Sequence, residues 1–167
     1  PRSRGLGDVY KRQIMSQTEE FEKVVEAAKA NKGGVVFVTG KPGSGKSKVL
    51  REAAEDKKWD YVDCRMLISE EFLAVPGEER MEKAPELMDA TLASYNSDVI
   101  LLDRLQTLFV PVFRLDVGAL LKKLGEKYIL VAAWPGYVKD GTLCYDKFDG
   151  TESIRIPVDG FTVWNVE

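Results

Sequence analysis

The fold of this chain is decided by the stretch Val35-Val36-Phe37-Val38-Thr39-Gly40-Lys41-Pro42-Gly43-Ser44-Gly45-Lys46-Ser47. Its four leading apolar residues predict a buried strand. Residues 48–55 follow, contain neither Gly nor Pro, and predict a helix. The intervening residues 40–47 match the pattern Gly-x-x-x-x-Gly-Lys-Ser, and a strand before it and a helix after it are the context that this motif requires. An ordinary glycine turn is therefore the weaker interpretation.

The residue types in this loop suit a phosphate group. The glycines let consecutive backbone N–H groups turn inward, and the following helix directs its positive end at the same point. A lysine supplies a mobile positive charge for the β- and γ-phosphates, and a serine hydroxyl can ligate Mg²⁺. We expect nucleotide contacts from Gly40, Lys41, Pro42, Gly43, Ser44, Gly45, Lys46, Ser47 and Lys48, with Ser47 also at the metal.

A second motif supplies a carboxylate for the same metal. The apolar residues 99–102 predict a buried strand, which ends at Asp103 as in a Walker B motif. Parallel strands end at one edge of a sheet, so we expect Asp103 to hold Mg²⁺ opposite Ser47.

The residue after this aspartate departs from the usual ATPase pattern. ATPases of the AAA-like branch usually carry a glutamate there, whereas this chain has Arg104, which cannot act as a general base. We expect Asp63, at the end of a neighbouring strand, to be the substitute base. Three positions are open for Arg104, namely at the γ-phosphate, against a neighbouring subunit, or paired with Asp63. The catalytic candidates are thus Lys46, Asp103, Asp63 and Arg104.

Strands that alternate with helices predict an α/β fold with helices on both faces of the sheet. We expect a three-layer α/β/α P-loop NTPase with a mainly parallel five-stranded sheet and no helical lid domain. The predicted helices are 16–30, 48–55, 81–95 and 117–124. The predicted strands are 35–38, 59–64, 99–102 and 128–134, with weaker tail runs at 143–148, 154–158 and 161–166.

Composition narrows the function classes. The length of 167 residues predicts one domain, and the absence of histidine excludes histidine-based catalysis. The two cysteines suit a reducing cytoplasm. Residues 1–14 read as a non-native leader, which leaves a domain of residues 15–167. The leader carries four basic residues and one acidic residue, so the net charge of −3 becomes −6 without it. Such an acidic domain argues against direct nucleic-acid binding, and no apolar run is long enough for a membrane span.

With these motifs in place, the chain resembles the BrxF family, small stand-alone P-loop proteins of type 3 BREX phage-exclusion systems. The resemblance is carried by residues 39–47, 61–65 and 99–103, by the segment 108–121, and by Trp134-Pro135-Gly136. It implies that the chain binds ATP as one subunit of a multi-protein bacterial antiviral defence system. It leaves the oligomeric state open.

Two other functions agree with the same motifs. Asp103-Arg104 after a strand is similar to the Asp-Arg of thymidylate-kinase-like enzymes, although Arg155 is the only arginine after Ala119. A nucleotide-sensing interaction module without turnover is the second alternative. The Asn-Lys-x-Asp motif of guanine recognition is missing, so ATP is the expected nucleotide.

Overall fold

A computed structural model describes residues 17–31, 34–147 and 153–166. The leader expected at residues 1–14 lies outside these ranges and stays a prediction. Within them, the helices are α1 (17–30), α2 (Lys46–Lys57), α3 (Glu70–Ala74), α4 (Arg80–Leu92) and α5 (Val117–Leu124). The strands are β1 (Gly34–Thr39), β2 (Asp60–Asp63), β3 (Val99–Asp103), β4 (Ile129–Ala133), β5 (Tyr137–Lys139), β6 (Thr142–Asp146), β7 (Ser153–Pro157) and β8 (Thr162–Asn165).

The main sheet has five strands in the order β2-β3-β4-β1-β8, and every pairing in it is parallel. All of its strands therefore end at the same edge, where the loop after β1 lies. Strand β4 separates the loop strand β1 from the strand that carries Asp103. On the far side of β3, the last residues of β2 and β3, Asp63 and Asp103, are in register.

Successive strand residues point to opposite faces of the sheet, and each face has its own apolar core. On one face, Val36 and Val38 pack with α1 and α2. On the other face, Val35 and Phe37 pack with residues of α3, α4 and α5. Helices on both sides of a parallel sheet make three layers, so the expected α/β/α fold class is confirmed.

A second, smaller sheet is the main feature that the sequence patterns did not predict. Strands β5, β6 and β7 form an antiparallel three-stranded sheet, with β7 at one edge. The ring of Trp134 is fully buried beneath it, and its Nε1 donates a hydrogen bond to the carbonyl oxygen of Cys144 at 2.9 Å. Trp134 is therefore a core residue that connects the end of β4 to the small sheet.

The irregular stretch between β3 and α5 contains two short 3₁₀ turns, Leu105–Phe109 and Pro111–Phe113. Pro85 is the sixth residue of α4 and lies beyond its first turn. Packing of Ala84 and Met88 in the core offsets the helical hydrogen bond that a proline cannot donate. No helix in the described ranges is long and apolar enough to span a membrane.

Candidate functional site

The loop between β1 and α2 has the backbone geometry that an anion-binding loop needs. Gly43 and Gly45 have φ values of 80° and 98°, in the left-handed region that favours glycine. No other residue comes within 4 Å of a Cβ built at either glycine, so backbone conformation rather than crowding requires glycine there. Helix α2 starts directly after Gly45, and no side chain caps its first turn. Its N–H groups and its positive dipole end thus face the loop, as anion binding requires.

Lys46 and Asp103 share this site. The Nζ atom of Lys46 donates a hydrogen bond to the carbonyl oxygen of Gly40 at 3.0 Å, so the ammonium lies across the loop. Burial lowers the pKa of Lys46, and the negative charge of Asp103 opposes that shift. The two motifs recognised in the sequence are more than fifty residues apart, and the fold brings them near enough for their charges to interact.

The carboxylate of Asp103 has two partners within the protein. Its Oδ1 accepts a hydrogen bond from the backbone N–H of Arg104 at 2.9 Å, and its Oδ2 accepts one from the Tyr61 hydroxyl. Burial and the bond to Asp103 raise the pKa of Tyr61, while a hydrogen bond from Arg51 acts in the opposite direction. The carboxylate is thus held in one orientation.

Asp63 is bound by two arginines. Its Oδ2 lies 2.9 Å from Nη2 of Arg65 and 3.1 Å from Nε of Arg104, and its Oδ1 accepts the N–H of Arg65. Burial raises the pKa of Asp63, but the Arg65 hydrogen bonds and the charges of both arginines outweigh it, so the pKa lies below its usual value. A carboxylate with a lowered pKa is a weaker base. These contacts argue against the role of substitute base, which stays a prediction.

Arg104 occupies one of its three expected positions. It pairs with Asp63, and its side chain is 58% exposed, so the guanidinium remains in contact with solvent at the sheet edge. Its role in catalysis stays a prediction.

A cavity of about 500 Å³ lies beside the first half of the loop. Its walls are the loop, the turn after β4 and the end of β8. The lining residues include Gly40, Lys41, Pro42, Ser44, Gly136 and Asn165. It does not reach Lys46, Ser47 or Asp103, so it lies beside the residues expected at the phosphates and the metal and does not contain them. We place the chemistry at the loop, because the charged groups are there.

The donor set fits Mg²⁺ held jointly with a nucleotide. Ser47, in the first turn of α2, and Asp103 offer hydroxyl and carboxylate oxygens, the ligands that Mg²⁺ prefers. Mg²⁺ normally keeps several waters and takes further oxygens from phosphate groups, so two protein ligands suffice. In the described ranges, no group of three or more His, Cys, Asp or Glu residues could hold a metal alone. The metal would therefore bind with the phosphates.

Sequence reasoning missed Tyr61 and Arg65 as members of the site. The pattern that could have identified Tyr61 is the two-residue period of β2, which places Tyr61 on the same face of the sheet as Asp63. Strand β2 pairs directly with β3, the strand that ends at Asp103. No sequence pattern pointed to Arg65. Its side chain reaches Asp63 because the 3₁₀ turn Cys64–Leu67 folds back on the end of β2.

No protein-family model and no curated protein matches the chain. Among solved structures it is similar to AMPPCP-bound DnaA from Aquifex aeolicus, with 18% identity and a TM-score of 0.43. The match covers 87% of this chain and 45% of the DnaA chain, so this chain spans less than half of that length. The fold assignment rests on the parallel sheet order β2-β3-β4-β1-β8, with the glycine loop and α2 directly after β1.

Proposed function

We propose that this chain binds ATP together with Mg²⁺ at the loop between β1 and α2. The observation that carries the proposal is the uncapped start of α2 behind two left-handed glycines, with Lys46 close to Asp103. A cluster of free N–H groups and a lysine suits a phosphate chain, and the opposing carboxylate suits its metal. The missing guanine motif favours adenine.

Lys46→Ala tests the site. We expect ATP affinity to fall roughly a hundredfold, since a hydrogen bond to a charged group contributes up to about 3 kcal/mol. Isothermal titration calorimetry measures the affinity. Lys29→Ala is the matched control, because Lys29 pairs with Asp98, which directly precedes β3 at the opposite edge of the sheet. Equal affinities of Lys46→Ala and the wild type would place the nucleotide elsewhere.

ATP binding is the main function that we propose for this chain, and ATP hydrolysis is a secondary one. Asp63 is held by two arginines, and Arg104 stands where a catalytic glutamate is usual. Because the two groups are paired in this way, we propose that this chain alone hydrolyses ATP slowly at most. Asp63 could act as the base and Arg104 could contact the γ-phosphate only after the ion pair between them opens.

The biological setting is a further part of the proposal. The resemblance to the BrxF family in residues 39–47, 61–65 and 99–103 supports an ATP-binding subunit of a bacterial phage-exclusion assembly. The partners would be other protein subunits in the cytoplasm, and ATP would control assembly or motion.

The kinase alternative has less support. A kinase of the thymidylate-kinase type covers the γ-phosphate with arginines from a lid. Arg155 instead forms an ion pair with Asp146 at 2.9 Å within the small sheet. No observation in the described part of the chain favours a phosphoryl acceptor over the binding function.

A further inference from the structure

Tyr61 lies outside both motifs, and its side chain contacts the carboxylate expected at the metal. Its hydroxyl donates to Oδ2 of Asp103 across the β2–β3 pairing. The ring packs against the apolar core under α1 and α2 and is only partly exposed, so the hydroxyl has a defined position. The bond is therefore built into the sheet and is not a chance contact of a surface side chain.

The same hydroxyl reaches helix α2. Arg51, in the second turn of α2, acts on the Tyr61 hydroxyl and partly offsets the rise in its pKa that burial and Asp103 cause. A phenolic hydroxyl can donate one hydrogen bond and accept others, so the bond to Asp103 leaves its acceptor positions open toward α2. Tyr61 thus lies between the strand that carries Asp103 and the helix that carries Ser47.

A carboxylate binds a metal ion more tightly when its orientation is already fixed before the metal binds. Each carboxylate oxygen has two acceptor positions, so a bond from Tyr61 leaves Oδ2 able to contact Mg²⁺ or one of its waters. The N–H of Arg104 holds Oδ1 in the same manner. Partners of this kind, which contact the ligand rather than the metal, typically change metal affinity by about 10–100-fold.

We propose that Tyr61 is a positioning residue that orients Asp103 for the Mg²⁺ of the bound nucleotide. This inference rests on the proposed nucleotide site. The opposite mechanism, in which the hydroxyl competes with the metal for Oδ2, predicts a change of opposite sign when the hydroxyl is removed.

The test compares ATP affinity with saturating Mg²⁺ and with excess EDTA, by isothermal titration calorimetry. The dissociation constant in EDTA divided by the dissociation constant in Mg²⁺ is the factor by which the metal increases ATP affinity. We expect Tyr61→Phe to reduce this ratio about tenfold, because the ring stays but the orienting bond is lost. Affinity in EDTA should stay within about twofold of the wild type, since the loop itself is unchanged.

Tyr128→Phe is the matched control. The Tyr128 hydroxyl also donates to a carboxylate, Oδ1 of Asp89 at 2.6 Å, but it lies just before β4, at the other edge of the sheet. It should leave the ratio unchanged. In an Asp103→Asn background, Tyr61→Phe should have no further effect, because Tyr61 acts through Asp103.

The outcomes distinguish the positioning role of Tyr61 from the proposed nucleotide site itself. An unchanged or larger ratio in Tyr61→Phe, or an additive effect in the Asp103→Asn background, would overturn the positioning role while leaving nucleotide binding intact. A wild-type chain that binds ATP equally well in Mg²⁺ and in EDTA would overturn it as well. A wild-type chain that binds no ATP would instead disprove the proposed function.

Discussion

Arg104 has a left-handed backbone, with φ 58° and ψ 45°, directly after the Asp103 carboxylate. A residue with a Cβ adopts this conformation at a cost of about 1–2 kcal/mol, and the packing of the following 3₁₀ turn maintains it. The conformation directs the Arg104 N–H back to Oδ1 of Asp103 and its side chain to Asp63. Arg104 is therefore held by backbone geometry as well as by charge.

Two replacements of Arg104 separate the effect of its backbone conformation from the effect of its charge. Arg104→Gly and Arg104→Ala both remove the exposed ion pair with Asp63, which contributes little. Glycine relieves the left-handed backbone, so Arg104→Gly should be about 0.5–1 kcal/mol more stable than Arg104→Ala. Urea unfolding measures the difference. Equal stabilities would show that the backbone at this position is not strained.

At the scale of elements, helices α1 and α2 meet through a buried carboxyl group. Glu22 of α1 is only 6% exposed, and its Oε2 lies 3.9 Å from the Nζ of Lys57 at the end of α2. Burial, a hydrogen bond to Asp56 and the negative charges of Asp56 and Glu19 raise the pKa of Glu22 to about 7, which Lys57 only partly offsets. At neutral pH this carboxyl group is therefore partly protonated in the folded chain.

The raised pKa predicts how stability depends on pH. The unfolded chain releases the Glu22 proton near its ordinary pKa of 4.5, whereas the folded chain holds it up to about 7. The stabilisation from this group is complete below pH 4.5 and is lost as the pH rises through 7. Glu22→Gln cannot ionise, so it should flatten this part of the stability profile and be more stable than the wild type at alkaline pH.

Urea unfolding at several pH values between 4.5 and 8 measures this profile for both proteins, over a window that spans the two pKa values of about 4.5 and about 7. Glu26→Gln, on the exposed side of the same helix, is the control and should keep the wild-type slope. A Glu22→Gln profile parallel to the wild type would mean that Glu22 titrates normally.

At the scale of the whole molecule, the small sheet is attached to the main sheet through Gly136. A Cβ at this position would overlap the backbone carbonyl of Cys144, the group that accepts the Trp134 hydrogen bond. The turn after β4 can approach the backbone of β6 this closely only because residue 136 has no side chain. The cavity beside the phosphate loop is partly formed by this same turn.

Gly136→Ala should therefore destabilise the molecule by about 3 kcal/mol, because backbone atoms must move to admit the methyl group. Chemical unfolding followed by tryptophan fluorescence measures the loss. Gly77→Ala is the control and should cost less than about 1 kcal/mol, since its closest neighbour is the flexible side chain of Arg114. Similar losses in the two variants would contradict the close approach of Gly136 to the backbone of β6.

The sequence alone determined the features that depend on neighbours along the chain. Residues 40–47 form the loop because glycine permits left-handed backbone at Gly43 and Gly45, which is a local property. The apolar runs of β1, β3 and β4 predicted a parallel sheet between helices, because strands buried on both faces need continuous apolar sequence. Local chemistry was sufficient for the fold class and for the backbone shape of the glycine loop.

The tertiary structure alone decided which side chains meet at the end of the sheet. Tyr61 and Asp103 are 42 residues apart, and only the parallel register of β2 with β3 brings the hydroxyl to the carboxylate. The small antiparallel sheet depends on the contact between Gly136 and Cys144, which no sequence period encodes. Such contacts depend on strand order and register, which arise from the packing of the whole chain rather than from any one segment of it.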